Sequence, residues 1–513
     1  MKMFTDRTGA RHGLAALVAA LGIAAALSAA APAAAAKPAA TSTLDPLAID
    51  RYVRDYMEQT DLPGAVVAVT KGDRVVHTAG YGHAASGQAM TARTRLPVAS
   101  LSKSMTALAV MRLVEAGKVD LDRPARRYLP EFTMADRRAE KITVRQLLTQ
   151  TSGMADSAYP DLTRAQPHTL REAVAAMREA HLAAAPGAEN NYHNPNYFVA
   201  ARLVEVVSGQ PFADHLSAEI FQPLGMTHTT SVDTTDDMPD RARGYVRLYG
   251  TVLSRPHPRW FTAGGHGVVT TADDLSQWLI AQNSQGVSAD GRRVAAARTI
   301  DLTHTPPRTP ADSHYAMGWS ESTQDKEPRV IQHTGQLLTH NSIATLLPDS
   351  GIGIAVVTNT GMISGDDAPQ ISQGLVDLAR GQNPEVAKPF SMTADWVLAA
   401  LTLLATGLGV RGVLHARRWA RRTARQPWWR VTARMLPYTF PLLLLTQLAS
   451  LFGLLMNRSG TLAQVTYAWP ALVICTAVTA LASTTVIAAR GLAAFRLSRR
   501  PPPAPSPAAR ARP

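Results

Sequence analysis

Ser100 and Lys103 stand three residues apart in the run Ser100-Leu101-Ser102-Lys103, a spacing that can pair a nucleophile with its proton acceptor. A short extended approach, Arg95 to Ser100, precedes an uninterrupted apolar-periodic stretch from Lys103 to Ala116, which predicts a helix with Ser100 at its N-terminus. Unpaired N–H groups and the helix dipole favour developing negative charge at such a position. Lys103 then falls on the same helix face, one turn in. In a dry cleft a lysine pKa drops, and the amine can take a serine proton near neutral pH. Alone, the pattern also describes a capping serine beside a surface lysine. Further along, Tyr192-His193-Asn194 carries a phenol and an amide two residues apart. Read as an extended segment, it turns both to one side, with His193 as a spacer. The phenol could share a proton network with Ser100 and Lys103, and Asn194 offers a donor and an acceptor suited to a substrate amide.

These elements, followed by His333-Thr334-Gly335, resemble the ordered motifs of the class C β-lactamase and penicillin-binding-protein-like serine hydrolases: Ser-x-x-Lys, Tyr-x-Asn, then Lys-Thr-Gly or His-x-Gly. The framing segments are similar too: Ile142 to Gly153, Pro186-Gly187, Asn196-Tyr197, Pro223-Leu-Gly-Met226, Ala263-Gly-Gly265 and Met317-Gly-Trp319. The resemblance runs from roughly Leu44 to Arg380. It implies that Ser100 forms an acyl-enzyme while Lys103 and Tyr192 move protons. It further implies that Asn194, His333, Thr334, Gly335 and Gln336 bind substrate, the Gln336 and Ser100 N–H groups forming an oxyanion hole. Losing one such donor costs about 2.7–4 kcal/mol of barrier. His333 departs from the lysine of the β-lactamases. A histidine, with an ordinary pKa of ~6.5, is mostly neutral at pH 7 and should hold a substrate carboxylate less well. The segment Gln336-Leu-Leu-Thr-His340-Asn341 is bulkier than the small residues and Pro-Gly turn usual there, which predicts an unusual pocket. His266 and His340 could line it.

The elements that must hold these groups are also legible. Ala65–Thr70 and Arg74–Ala79 flank Lys71-Gly72-Asp73, and Ser342–Leu347 and Gly351–Thr358 flank Pro348-Asp349-Ser350: two hairpins at opposite ends of one segment. Between them, residues from about 125 to 238 are mostly helical in pattern, including Leu170–Ala183, Tyr197–Ser208 and Phe212–Phe221. The fold class expected is α+β: a β-lactamase/transpeptidase-like antiparallel sheet completed by both ends, with flanking helices and a helical subdomain. The site would lie in the crevice between sheet and subdomain.

The net charge of +13 over 513 residues looks like a nucleic-acid signal until it is divided along the chain. Residues 1–36 and 393–513 hold eighteen of the 52 basic residues and two of the 39 acidic ones, leaving 34 against 37 in the middle. No basic face remains for nucleic acid. Residues 1–36, with Lys2, Arg7 and Arg11 before an apolar run from Leu14 to Leu27, read as a signal peptide, and 37–43 as a linker to the hydrolase domain at 44–390. Within 393–490, residues 396–414, 435–456 and 465–489 read as three transmembrane helices. Pro437, Pro441 and Pro470 would kink the second and third. Arginines crowd the first connection (417–434) and follow the third span, whereas the second connection holds only Arg458. That asymmetry places the hydrolase domain outside the cytoplasm of a multi-pass membrane protein, with residues 491–513 a disordered cytoplasmic tail. Cys475 is the single cysteine, so no disulfide framework exists, and no metal or cofactor motif is found. The expected function is a membrane-anchored extracytoplasmic serine hydrolase acting on peptide or ester substrates, D-amino-acid-containing and cell-wall derived. Alternatives are acyl transfer to an amine, a penicillin-binding sensor without turnover, and a β-lactamase.

Overall fold

The computed structural model describes residues 44–499, apart from 86, 240–241, 311–312, 322–328, 362–365 and 457. The expected signal peptide, linker and last tail residues lie outside this range. Helix α1 (Pro46–Thr60) opens with Pro46 at its first position, and Asp45 caps it by accepting the Leu47 N–H at 3.1 Å. Strands β1 (Gly64–Lys71), β2 (Arg74–Ala85) and β3 (Gln88–Ala89) follow. The chain then leaves the sheet for α2 (Ser102–Glu115), α3 (Pro195–Ser208) and α4 (Ala272–Asn283). It returns as β4 (Ser320–Glu321), β5 (Ile331–Gln336), β6 (Asn341–Leu347) and β7 (Ile352–Thr358), closed by α5 (Asp367–Ala379).

The seven strands lie in the order β3-β2-β1-β7-β6-β5-β4, so the first and last parts of the domain meet at β1 and β7, antiparallel with Val67 opposite Val356. Both sheet faces are covered, which is why β1 reads Ala-Val-Val-Ala-Val without polar alternation. Ile49 and Val53 of α1 and Ile371 and Leu375 of α5 pack with Val67, Val69, Ile354 and Val356 on one face. On the other, Leu275 and Leu279 of α4 and the helical subdomain share a core with Val66, Ala68, Ala355 and Val357. The subdomain is less regular than its sequence pattern suggests. The helix expected over 170–183 ends at Ala175, and the rest is turns.

Three helices long and apolar enough to cross a membrane follow. The first, α6 (Phe390–Leu414), has 25 residues and is about 38 Å long at ~1.5 Å per residue, more than a hydrocarbon core needs. The second runs Trp428–Met456, and a 3-10 turn at Leu436–Thr439 interrupts it where Pro437 lacks an N–H; its longest regular part is α7 (Phe440–Met456). Residues 465–468, expected in the third span, belong instead to a separate short helix, α8 (Leu462–Ala468). Trp469 leaves helical geometry (φ −151°), and α9 restarts with Pro470 at its first position and continues to Ser498. Residues 491–498 are therefore helical rather than part of a disordered tail. Large apolar side chains such as Leu403, Leu414, Leu454 and Leu455 lie open on these helices, as lipid-facing residues do.

Candidate active site

Ser100 sits in a 3-10 turn, Ala99–Leu101, immediately before α2 rather than within it. Ala99 has φ 49°, a left-handed conformation that costs an alanine about 1–2 kcal/mol, so the turn must be held from outside. Strand β5 holds it. A Cβ on Gly335 would lie 2.2 Å from the Val98 carbonyl oxygen and 2.3 Å from Ser342 Oγ, so only glycine allows this approach. Ser342 Oγ donates to that same carbonyl at 2.7 Å.

Lys103 is fully buried on the first turn of α2. Its Nζ lies 3.0 Å from Ser100 Oγ, 3.0 Å from Asn194 Oδ1 and 2.9 Å from Gly265 O. Burial, reinforced by the Arg458 charge, holds its pKa well below the ordinary lysine value despite the opposing pull of Asp161. As a neutral amine it donates to Asn194 and Gly265 and keeps a lone pair for the Ser100 hydroxyl. The Tyr192 ring centroid is 4.8 Å from Nζ, and the Tyr192 phenol lines the same cavity as Ser100. Burial pushes that phenol up to about 12, so it stays protonated at neutral pH.

The Tyr192-His193-Asn194 segment is not extended. Asn194 has helical angles (φ −57°, ψ −40°) where the chain turns into α3, and Gln150 pins the turn by accepting from His193 N at 2.9 Å and Asn196 Nδ2 at 2.6 Å. Both atoms of the Asn194 amide are engaged, Oδ1 by Lys103 and Nδ2 by Asp161 Oδ2 at 3.1 Å, so Asn194 positions the lysine rather than presenting a free amide. Nor is His193 a spacer. Its Nε2 is 2.8 Å from Tyr159 O and 3.6 Å from Asp161 Oδ1.

His333 is buried on β5, with Nδ1 2.6 Å from Thr334 O and Nε2 3.1 Å from the Tyr315 hydroxyl. The carbonyl can only accept, which assigns the proton to Nδ1 and leaves Nε2 to accept from Tyr315. Burial and the neighbouring Lys103 push its pKa down to about 3, so this imidazole is neutral. Thr334 and Gln336 are exposed along β5, and β4 reaches only Gln332, leaving the 334–336 edge open toward Ser100. His340 is buried elsewhere, its Nε2 3.1 Å from Ala242 O, while Leu338 from the bulky segment lines the cavity.

Ser100, Tyr192, Asn194, His266, His333, Thr334 and Gln336 line one cavity of about 430 Å³. Its far wall comes from the C-terminal apolar helices and their connection: Phe452 and Met456 at the end of α7, Arg458, Ser459 and Gly460 after it, and Gln464, Val465 and Ala468 of α8. Arg458 Nη2 reaches Asp161 Oδ1 at 3.1 Å and Nε lies 4.0 Å from Asp156 Oδ1, with Ser459 N–H donating to the Asp156 carboxylate. Gln464 Nε2 donates to Leu162 O at 2.9 Å. Asp156, Asp161 and His193 bring ligand-type atoms within 4.8 Å of one another, and the cation facing them is Arg458. Burial alone would raise Asp161; Arg458 and His193 outweigh it and hold the carboxylate below its ordinary range. Asp161, Tyr315 and Arg458 are the residues sequence reasoning missed at this site. Only Arg458, a lone cation in a short loop between two apolar helices, carried a signal that could have found it.

Comparison with known proteins places this geometry. The Beta-lactamase family profile matches residues 49–374. Protein flp of Staphylococcus aureus is 27% identical over 316 residues, 61% of this chain, and the match spans only 62% of that protein's length. Penicillin-binding protein 4 of Amycolatopsis lactamdurans is 30% identical over 341 residues, 64% of this chain and 89% of that one. The octameric penicillin-binding protein homologue from Pyrococcus abyssi superposes with a TM-score of 0.56 at 24% identity, covering 68% of this chain and 80% of that one. With its sheet order and helical subdomain, the chain belongs to the beta-lactamase family of serine hydrolases, among the homologues of penicillin-binding proteins.

Proposed function

We propose that this protein is a membrane-anchored serine hydrolase that forms an acyl-enzyme on peptide or ester carbonyls, with the hydrolase domain on the extracytoplasmic face. The observation that carries the reading is the contact between Ser100 Oγ and Lys103 Nζ at 3.0 Å, at a wholly buried amine whose pKa is depressed, on the wall of a cavity. Ser100 Oγ attacks the carbonyl carbon and its proton passes to Lys103. As the carbon–leaving-group bond breaks, the proton reaches the departing oxygen or nitrogen through the Tyr192 phenol. Water then cleaves the acyl–Oγ bond by the reverse relay. The Ser100 and Gln336 N–H groups serve as the oxyanion hole.

The neutral His333 supports substrates without a free carboxylate beside the scissile bond, which favours esterase, amidase or D-amino-acid peptidase chemistry over efficient β-lactam turnover. Support for the orientation comes from the ends of the spans. The catalytic domain contacts the residues around Asp395 and Trp469, whereas the arginines of 417–434 belong to the connection at the opposite helix ends. Intact-mass spectrometry of the full-length chain in detergent with p-nitrophenyl acetate, and separately with penicillin, tests the reading. An acyl adduct that forms in the native chain and not in Ser100→Ala is the expected result. An adduct that persists in Ser100→Ala, or no adduct and no turnover of either compound, would sink it.

A further inference from the structure

The cavity's polar end and its apolar end come from different parts of the chain. At one end lie Ser100, Tyr192 and His333; at the other, Phe452 and Met456 of α7 with Val465 and Ala468 of α8. The latter residues are the final turns of elements that emerge from the spans. Tyr467 and Trp469 mark the same level, the Tyr467 hydroxyl donating to Pro256 O at 2.9 Å and Trp469 Nε1 to Asp395 Oδ1 at 2.8 Å. Such amphipathic aromatics sit at membrane–water boundaries. The cavity's apolar wall is therefore built from residues beside these boundary-type aromatics.

Its electrostatics narrow the occupant further. Among the described lining residues Arg458 is the only formal charge, and Asp161 neutralises it. His333 is held neutral by its position. His266 is only 3% exposed, faces the cavity, and has hydrogen-bond partners at neither ring nitrogen among the described residues. A buried imidazole left unpaired costs free energy that a ligand's polar group can recover. A neutral donor and acceptor in an otherwise apolar chamber suits an uncharged ester or amide and its polar substituents.

Resting on the reading that Ser100 forms an acyl-enzyme, we propose that the substrate is a bilayer-resident amphiphile. It is a long-chain ester or amide, uncharged around the scissile carbonyl, whose tail lies against Phe452, Met456, Val465 and Ala468 while the carbonyl reaches Ser100. The membrane region is then part of the substrate site and not only an anchor.

The test uses the full-length chain in nanodiscs with two homologous ester series, one lengthening the acyl chain and one the alcohol, each from C2 to C12. In one series kcat/KM should rise by about fourfold per added methylene until the cavity is filled, the factor expected for burying a CH₂. Phe452→Ser and Val465→Ser should each lower the C12-to-C2 ratio of kcat/KM tenfold or more. The ratio is read within one sample, so loss of folded protein does not mimic the effect. Ala468→Trp, which fills the chamber instead of emptying it, should move the optimum to shorter chains. A flat or falling dependence in both series overturns the proposal, and so does a rise that none of the three variants alters. If C2 esters are still cleaved in a Ser100-dependent way, the hydrolase reading survives that failure. If no ester is cleaved at all, the long-chain proposal falls, and the Ser100-dependent penicillin adduct decides the hydrolase reading by itself.

Discussion

At the scale of single residues the chemistry depends on which groups lose their charge. In the proposed reaction Lys103 must be neutral to accept the Ser100 proton, and burial, which depresses its pKa, favours that form. A base with a lowered pKa is protonated, and inactive, below that pKa. For an uncharged ester, kcat/KM should therefore fall as pH drops through the Lys103 value and reach a plateau above it. Tyr192, pushed up to about 12, should leave the plateau flat through pH 9. His333, near 3, should add no inflection between pH 5 and 9. A pH–rate profile of native chain and His333→Gln checks this; an inflection near 6.5 that His333→Gln removes would contradict the neutral histidine. That Ser100, Lys103, Tyr192 and His333 come together was legible because residue type and order mark them. Asp161 was not: nothing in its neighbours' spacing ties a loop carboxylate to Asn194, and only the folded loop brings them together.

At the scale of elements, hydrophobic pattern and turn residues located the two hairpins and the helix behind Ser100, but not the details that tertiary packing decides. Ser100 lies before α2 because Gly335 and the left-handed Ala99 pull the chain into a tighter turn first. Asn194 is helical because Gln150 grips the loop on both sides of it. The sheet and α5 are joined to the segment around Arg247 by a similar buried grip. Asp367 at the start of α5 accepts from Arg247 Nη2 at 2.8 Å, from the Tyr56 hydroxyl at 3.0 Å and from Thr360 Oγ1 at 2.5 Å, while Arg247 also donates to Thr60 O. Both charged side chains are essentially without solvent exposure. Removing one partner strands the other as an uncompensated buried charge. Asp367→Ala should thus destabilise the fold by about 3–5 kcal/mol, whereas Arg247→Met with Asp367→Leu together should cost far less. Denaturation midpoints of the three chains decide it; a single substitution no worse than the pair would show that the ion pair is not what holds this junction.

At the scale of the whole molecule, the hydrolase domain does not own all of the electrostatics of its site. A continuous path of polar contacts runs from Ser100 through Lys103, Asn194 and Asp161 to Arg458, and the last of these belongs to the loop between the second and third of the long apolar helices. In the sequence Arg458 counts only as the lone cation of a short loop, because its partner lies almost three hundred residues away and pattern alone cannot join them. The two charges act on Lys103 in opposite directions: Arg458 disfavours the ammonium form and Asp161 favours it. Arg458→Gln leaves Asp161 unopposed, so the Lys103 pKa should rise and the acidic limb of kcat/KM should move to higher pH. Asp161→Asn leaves Arg458 unopposed and should move the limb to lower pH. Opposite displacements are a signature that general unfolding cannot produce, since lost protein lowers the whole profile without shifting its midpoint. If both variants shift the limb the same way, or neither shifts it, Arg458 serves only to dock the loop. If they diverge, the C-terminal apolar helices set the protonation state of Lys103, the base of the proposed reaction, and a domain cut free at residue 390 would work, where it works at all, at a different pH.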